Sequence, residues 1–244
     1  MQPLEQLTGL NKETKRRALQ ILREQQRRAN DFIRSVYRPL PTPAQFHATK
    51  ARYAMILGGN RSGKTEANCA DLCMRLLDCH PHHDTRRENR YWFATLDWGY
   101  LGAVIWGEKL KRMLPERYIQ DIAWHNKARE IPEIIWMING KRLDLKSYEA
   151  GKSKFQAASL DGIYLDEQIP HQGEEIWREC RMRVIDRSGF IRWSFTPVIY
   201  QEWLKTLVDT PPREYFIAYA NLNDNRKSRG GIQKRLDDMS IMKI

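Results

Sequence analysis

Short apolar runs alternate with helical periodicities along this chain, and that alternation predicts an α/β fold with a mostly parallel central sheet flanked by helices. Residues 53–57 (Tyr, Ala, Met, Ile, Leu) read as a buried strand, followed by a helix over residues 65–77. Residues 91–96 read as a second strand. The helix predicted over residues 101–114 offers Val104, Ile105, Leu110 and Met113 to the core. Residues 133–138 and 141–147 flank Asn139 and Gly140, a pair that suits a type I′ turn, so an antiparallel hairpin is expected within the parallel pattern. Two more strands are predicted over residues 162–167 and 192–197. At the start, residues 11–37 read as one charged helix with a narrow apolar stripe of Ala18, Leu22, Ala29, Phe32, Ile33 and Val36, ended by Pro39, Pro41 and Pro43. From residue 221 onward the chain reads as a loop and a short helix.

Composition narrows the class. A chain of 244 residues suffices for one large α/β domain, and its net charge of +11 favours an anionic partner, nucleic acid above all. The first helix concentrates that charge in Lys12, Lys15, Arg16, Arg17, Arg23, Arg27, Arg28, Arg34 and Arg38; such a helix suits DNA, a neighbouring subunit or simply solvent. No stretch approaches the roughly 20 apolar residues of a membrane span, and the N-terminus lacks the apolar core of a secretion signal, so a soluble intracellular protein is expected. Cys69, Cys73, Cys79 and Cys180 do not make a disulfide framework. Cys69, Cys73 and Cys79 run on to His80, His82 and His83, but the spacing fits no familiar zinc pattern; Cys69 and Cys73 are expected in the core on the helix behind the phosphate loop and the histidines in a polar loop.

Gly58, Gly59, Asn60, Arg61, Ser62, Gly63, Lys64 and Thr65 satisfy the phosphate-loop pattern in full, between a predicted strand and a predicted helix. Each fixed position has a physical job. The glycines let backbone N–H groups close around a polyphosphate, Lys64 reaches the terminal phosphates, and the Thr65 hydroxyl suits magnesium. The helix N-terminus adds partial positive charge.

About a hundred residues further on, the strand ending in Asp166 and Glu167 supplies what a phosphate loop lacks. Asp166 suits the magnesium ion and Glu167 the attacking water, which makes the pair a signature of hydrolysis beyond binding. The strand ending in Thr196 and Pro197 adds a polar group able to sense the terminal phosphate.

This ordered set resembles the ATPase domain of the large terminase subunit, the DNA-packaging motor of tailed bacteriophages. The resemblance rests on Gln45 and Phe46, the phosphate loop, the Asn139–Gly140 turn, Phe155 and Gln156, residues 160–167, Arg183 and Gly189, Thr196 and Pro197, and residues 221–225. It implies a P-loop NTPase fold with ATP and Mg2+ as cofactors, and double-stranded DNA bound without regard to sequence. It further implies a portal protein or procapsid and a small terminase subunit as partners, a homo-oligomeric ring, and the host cell cytoplasm as location. Gln45 matches the adenine-contacting glutamine and Thr196 the coupling motif. Arg61 matches an arginine that neutralises phosphate charge in cis, while Arg129, Arg181, Arg183 and Arg187 are alternatives for a neighbour's arginine. The expected divisions are a basic segment over residues 1–40, the ATPase domain over 41–225 and a tail over 226–244. With so few residues after Ala220, no nuclease activity is expected. Val198, Ile199 and Tyr200 stand where the family often has a nearby glycine, a departure at the coupling motif. The competing readings are a helicase-like ATPase and a non-catalytic, nucleotide-locked assembly module.

Overall fold

The computed structural model describes residues 11–221, so the tail over 226–244, and all of 221–225 but Asn221, lie outside the described residues. Among the described residues, eight strands form one sheet in the order β3-β4-β5-β2-β6-β7-β1-β8. They are β1 (Tyr53–Gly58), β2 (Arg90–Thr95), β3 (Ile119–Asn126), β4 (Ile131–Met137), β5 (Arg142–Ser147), β6 (Gly162–Asp166), β7 (Phe190–Phe195) and β8 (Tyr215–Ala220). From β5 to β8 every pairing is parallel, whereas β3, β4 and β5 run antiparallel. The predicted hairpin is β4–β5, but its turn is not the expected type I′: Gly140 N donates to Met137 O (2.9 Å) and only Gly140 of the pair is left-handed (φ 84°), so the chain turns over Ile138 and Asn139; β3 extends the hairpin into a three-stranded meander that the sequence pattern did not predict.

Six helices among the described residues flank the sheet: α1 (Lys12–Val36), α2 (Pro41–Ala48), α3 (Lys64–Leu76), α4, α5 (Gly173–Ile185) and α6 (Glu202–Asp209). Helix α4 is composite: Trp98–Tyr100, then Leu101–Leu110 with π-helical bonding, then Lys111–Met113. Alternation along each strand divides the core. Tyr91, Phe93 and Tyr164 point to the face packed by α1, α3 and α4, while Trp92, Ile163, Leu165 and Trp193 point to the face packed by α5 and α6. Ala29, Ile33 and Tyr37 of the predicted α1 segment are buried on the first face, and Arg112 donates to Val36 O at its C-terminal end (2.8 Å).

A buried polar cluster fastens the first face. Asp71 of α3 accepts from His47 Nδ1 (2.9 Å) and His80 Nε2 (3.0 Å) on one oxygen, and from Tyr164 (2.7 Å) and Arg75 Nε (3.1 Å) on the other. Tyr37, just beyond α1, joins through His47 Nε2 (2.8 Å). His80 is thus buried, not set in a polar loop, because Asp71 needs its N–H. Cys69 and Cys73 lie in the core as expected, and Cys79 is buried as well. Burial alone would raise the Asp71 carboxyl, but the imidazole donors and the positive charge of Arg75 hold it well below the usual carboxylate range. Among the described residues His47, Asp71 and His80 could face a single metal ion, yet Asp71 has already filled four acceptor positions and lies against a buried guanidinium. The donor set suits protons better than a metal.

Removing the Asp71 carboxylate leaves Arg75 Nε, Tyr164 and two imidazoles without their buried acceptor, so Asp71→Ala is expected to lower unfolding free energy in urea by about 3–5 kcal/mol. Burial also depresses the imidazoles of His80 and His83, the latter to about 3. Both are held neutral in the fold, so their contribution is complete above the ordinary value of 6.5 and is lost as pH falls below it, for His83 down towards about 3. Melting temperature should drop steadily through that window, and His83→Gln should flatten the drop.

Candidate functional site

The parallel strands present their C-terminal ends along one edge, and the sequence-predicted residues meet there. β1 runs into the phosphate loop, which ends at Gly63 in the left-handed region (φ 87°) as the N-cap of α3. Arg61 is also left-handed (φ 64°) and exposed. Gly59 and Asn60 are exposed, whereas Ser62 is buried, its hydroxyl without a hydrogen-bond partner. Lys64 is buried and its Nζ donates to Gly59 O (2.9 Å); burial lowers its pKa, and the nearby charges of Glu167 and Asp166 oppose that. A loop of backbone donors capped by a largely buried lysine is chemically suited to a polyphosphate.

Asp166 ends β6 and is fully buried. It accepts from Ser194 Oγ of β7 (2.5 Å) and, more weakly, from Thr65 Oγ1 of α3 (3.4 Å). Burial raises its pKa to about 7; the Ser194 and Thr65 hydrogen bonds oppose the rise and the charge of Glu167 adds to it. Thr65 and Asp166 are hard oxygen donors, and a buried carboxylate with little compensating positive charge fits a divalent cation. Ser194 was not singled out in the sequence: it sits opposite Asp166 only through the β6–β7 register.

Glu167 stands in the left-handed region at φ 62°, a strained conformation for a residue with a Cβ. Its N–H donates to Ser194 O (2.7 Å), its carbonyl accepts from the Trp193 indole (2.9 Å), and its carboxylate faces Thr196 N at 3.5 Å. The Trp193 ring stacks on Trp177 at 5.4 Å, which fixes that donor. Thr196 Oγ1 in turn donates to Gly58 O (3.0 Å), so the threonine bridges the start of the phosphate loop and the glutamate. Gln45 is exposed on α2, and Leu40, which caps that helix, lies beside Gly63.

Two more residues border this edge. Tyr148 donates to both Ala94 O and Asp166 O (3.1 Å each), pinning the ends of β2 and β6 together. Tyr100 of α4 is half-buried; burial first, and then the charges of Asp166 and Glu167, raise its pKa, while a hydrogen bond with Thr65 opposes that rise. Of the candidate arginines, Arg181 lies near Tyr53 and Glu214, Arg183 near Glu179 and Arg187 beside Asp161. Tyr53 and Asp161 mark strand beginnings, the edge opposite the phosphate loop. Arg129 lies in the turn between β3 and β4.

The two leading glycines differ in a testable way. A methyl carbon on Gly58 would lie 2.3 Å from Ala220 O of the neighbouring strand, whereas one on Gly59 meets nothing within 4 Å. Gly58→Ala should therefore cost about 1–3 kcal/mol in chemical unfolding and weaken binding of a fluorescent ADP analogue, with Gly59→Ala close to the parent chain in stability.

Comparison with known proteins agrees with this geometry. The family model described as "Terminase large subunit, T4likevirus-type, N-terminal" matches residues 55–178. Among solved structures, the chain is similar to the large terminase ATPase domain of Thermus phage P74-26, with 17% identity and a TM-score of 0.55 over 82% of this chain and 89% of that one. It is also similar to the large terminase of another thermophilic bacteriophage, solved in complex with ADP, with 17% identity and a TM-score of 0.57, again over 82% of this chain but only 50% of that one. No curated protein matches. These likenesses show the P-loop NTPase fold, and the matched model covers the strands and helices that carry the phosphate loop, Asp166 and Glu167: the chain belongs to the large terminase subunit family.

Proposed function

We propose that this chain is a magnesium-dependent ATPase that drives double-stranded viral DNA into a procapsid. The observation that carries the reading is the meeting of Lys64, Thr65, Asp166, Glu167 and Thr196 at one sheet edge, with Thr65 donating to Asp166, Asp166 and Glu167 both bonded to Ser194, and Thr196 donating to Gly58 O. Family membership supports the packaging role, and the likeness to a terminase in complex with ADP supports a nucleotide here.

In this reading the phosphate-loop N–H groups and Lys64 hold the β- and γ-phosphates, and Gln45 contacts the adenine. Thr65 and Asp166 would hold Mg2+, which when bound draws charge from the terminal phosphates. Glu167 orients the attacking water and takes its proton. Its strained backbone and two backbone hydrogen bonds keep the carboxylate facing Thr196, whose link to Gly58 places it to respond when the terminal phosphate departs. Arg61, at the exposed tip of the loop, is positioned to neutralise phosphate charge in cis. Helix α1 presents an exposed basic face to the DNA backbone; Arg27 and Arg28 on it are partly tied to Glu24. The motor works as a ring at the portal, with the small terminase subunit bringing DNA to it, in the host cytoplasm. Among the described residues no helix is long and apolar enough to cross a membrane.

Glu167→Gln is expected to lower kcat for phosphate release by at least about a hundredfold while nucleotide binding persists; undiminished turnover would remove Glu167 from its role. Lys64→Ala should instead weaken nucleotide binding itself. If about six phosphates are neutralised, log affinity for duplex DNA should fall against log salt with a slope of roughly −5, the same for unrelated sequences. Strand separation on a forked duplex would favour the helicase reading instead.

A further inference from the structure

The residue after the candidate catalytic glutamate has an unusual set of partners. Gln168 is 3% exposed, and its amide is spent on one short segment. Oε1 accepts from the N–H groups of Val198 and Ile199, both at 2.9 Å. Nε2 donates to Ile199 O (2.6 Å) and to Gln201 Oε1 (3.2 Å), and Gln201 Nε2 donates back to Ile169 O (2.8 Å). A primary amide has two donors and an acceptor oxygen with two lone pairs, so every position is used.

What this amide holds is otherwise poorly anchored. Val198, Ile199 and Tyr200 are 75%, 45% and 77% exposed. Burial cannot fix three apolar residues that face solvent; a buried side chain bonded to their backbone can. The segment begins immediately after Thr196 and Pro197, and Thr196 is tied to Gly58 O at the phosphate loop. Residues 196–201 are thus attached at one end to the phosphate loop and at the other to the residue next to Glu167. Glu167 is itself held by Ser194 O and Trp193, so a rotation of its peptide must carry Gln168 with it.

We infer that Gln168 is a positioning residue that couples the backbone of Glu167 to the exposed loop of Val198, Ile199 and Tyr200, so that the loop and the glutamate move together during turnover. The inference rests on the hydrolytic reading of the site.

The test uses the full chain with two substitutions. Gln168→Met keeps length and removes all four bonds. It is expected to lower ATPase kcat about tenfold with KM within about twofold, and to speed hydrogen exchange at the Val198 and Ile199 amides by at least about tenfold while β7 amides are unchanged. Gln168→Glu keeps the acceptor for those two amides, and its second oxygen, facing Ile199 O where Nε2 donated (2.6 Å), replaces that bond when protonated. It should retain their protection and hold kcat within about threefold of the parent chain. Loss of loop protection with kcat unchanged in Gln168→Met would overturn the coupling, leaving a pin without a mechanical role. So would loss of kcat in Gln168→Glu with the loop still protected, a comparison that stands even where Gln168→Met fails to fold. If the parent chain binds nucleotide but does not hydrolyse it, the hydrolytic reading falls and the coupling with it; a parent that turns over normally beside an unaffected Gln168→Met sinks the coupling alone.

Discussion

The parallel register of β1, β7 and β6 is the constraint on which the site depends. Ile56 of β1 lies opposite Ser194 of β7, and Ser194 lies opposite Asp166 of β6. Because the three strands run the same way, the residues that follow this row emerge side by side: the phosphate loop after β1, Thr196 after β7, Glu167 and Gln168 after β6. A shift of one residue in either pairing would turn Ser194 away from Asp166 and move Thr196 off Gly58 O, since alternate residues face opposite sides of a sheet. Every polar contact at the site presupposes this alignment.

The alignment is in turn held from the first face by a charge. Asp71 binds α3 to itself through Arg75, to β6 through Tyr164, to α2 through His47 and to the loop after α3 through His80. Arg75 extends the cluster to Glu88 (2.7 Å) and rests on the Phe190 ring at 3.9 Å. Hydrophobic packing alone tolerates sliding of a helix over a sheet; a carboxylate with four directional donors does not. The start of α3, which carries Lys64 and Thr65, is therefore located relative to Asp166 by buried polar contacts as well as by apolar ones, among them Asn68 donating to Leu165 O (2.8 Å).

Much of this was legible in the sequence because local chemistry decided it. Apolar runs with glycine punctuation placed β1, β2 and β6 within a residue or so, Asn139 with Gly140 placed the hairpin, and the phosphate loop is contiguous. What escaped had non-local causes. Strand β3 is mixed in polarity and pairs with register irregularities at Asp121 and Trp124, so it carries no clean alternation. Helix α5 is charge-rich on its outer face. Ser194, Tyr148 and Gln168 look ordinary in sequence, because each acquires its role from a strand or loop 18 to 54 residues away. His80 was expected in solvent because nothing nearby in sequence shows that Asp71 would turn inward beneath it.

The close approach of Gly58 to the carbonyl of Ala220 has one more consequence. Strand β8 is one edge of the sheet, paired with β1 alone among the strands and covered by Phe46 of α2, which packs with Phe216 and Ala220, and its last carbonyl lies close to the first glycine of the phosphate loop. Tension applied to the chain beyond Ala220 therefore bears on the cradle's first peptide and on Phe46 of α2, and reaches the phosphate loop without passing through Glu167 or Thr196.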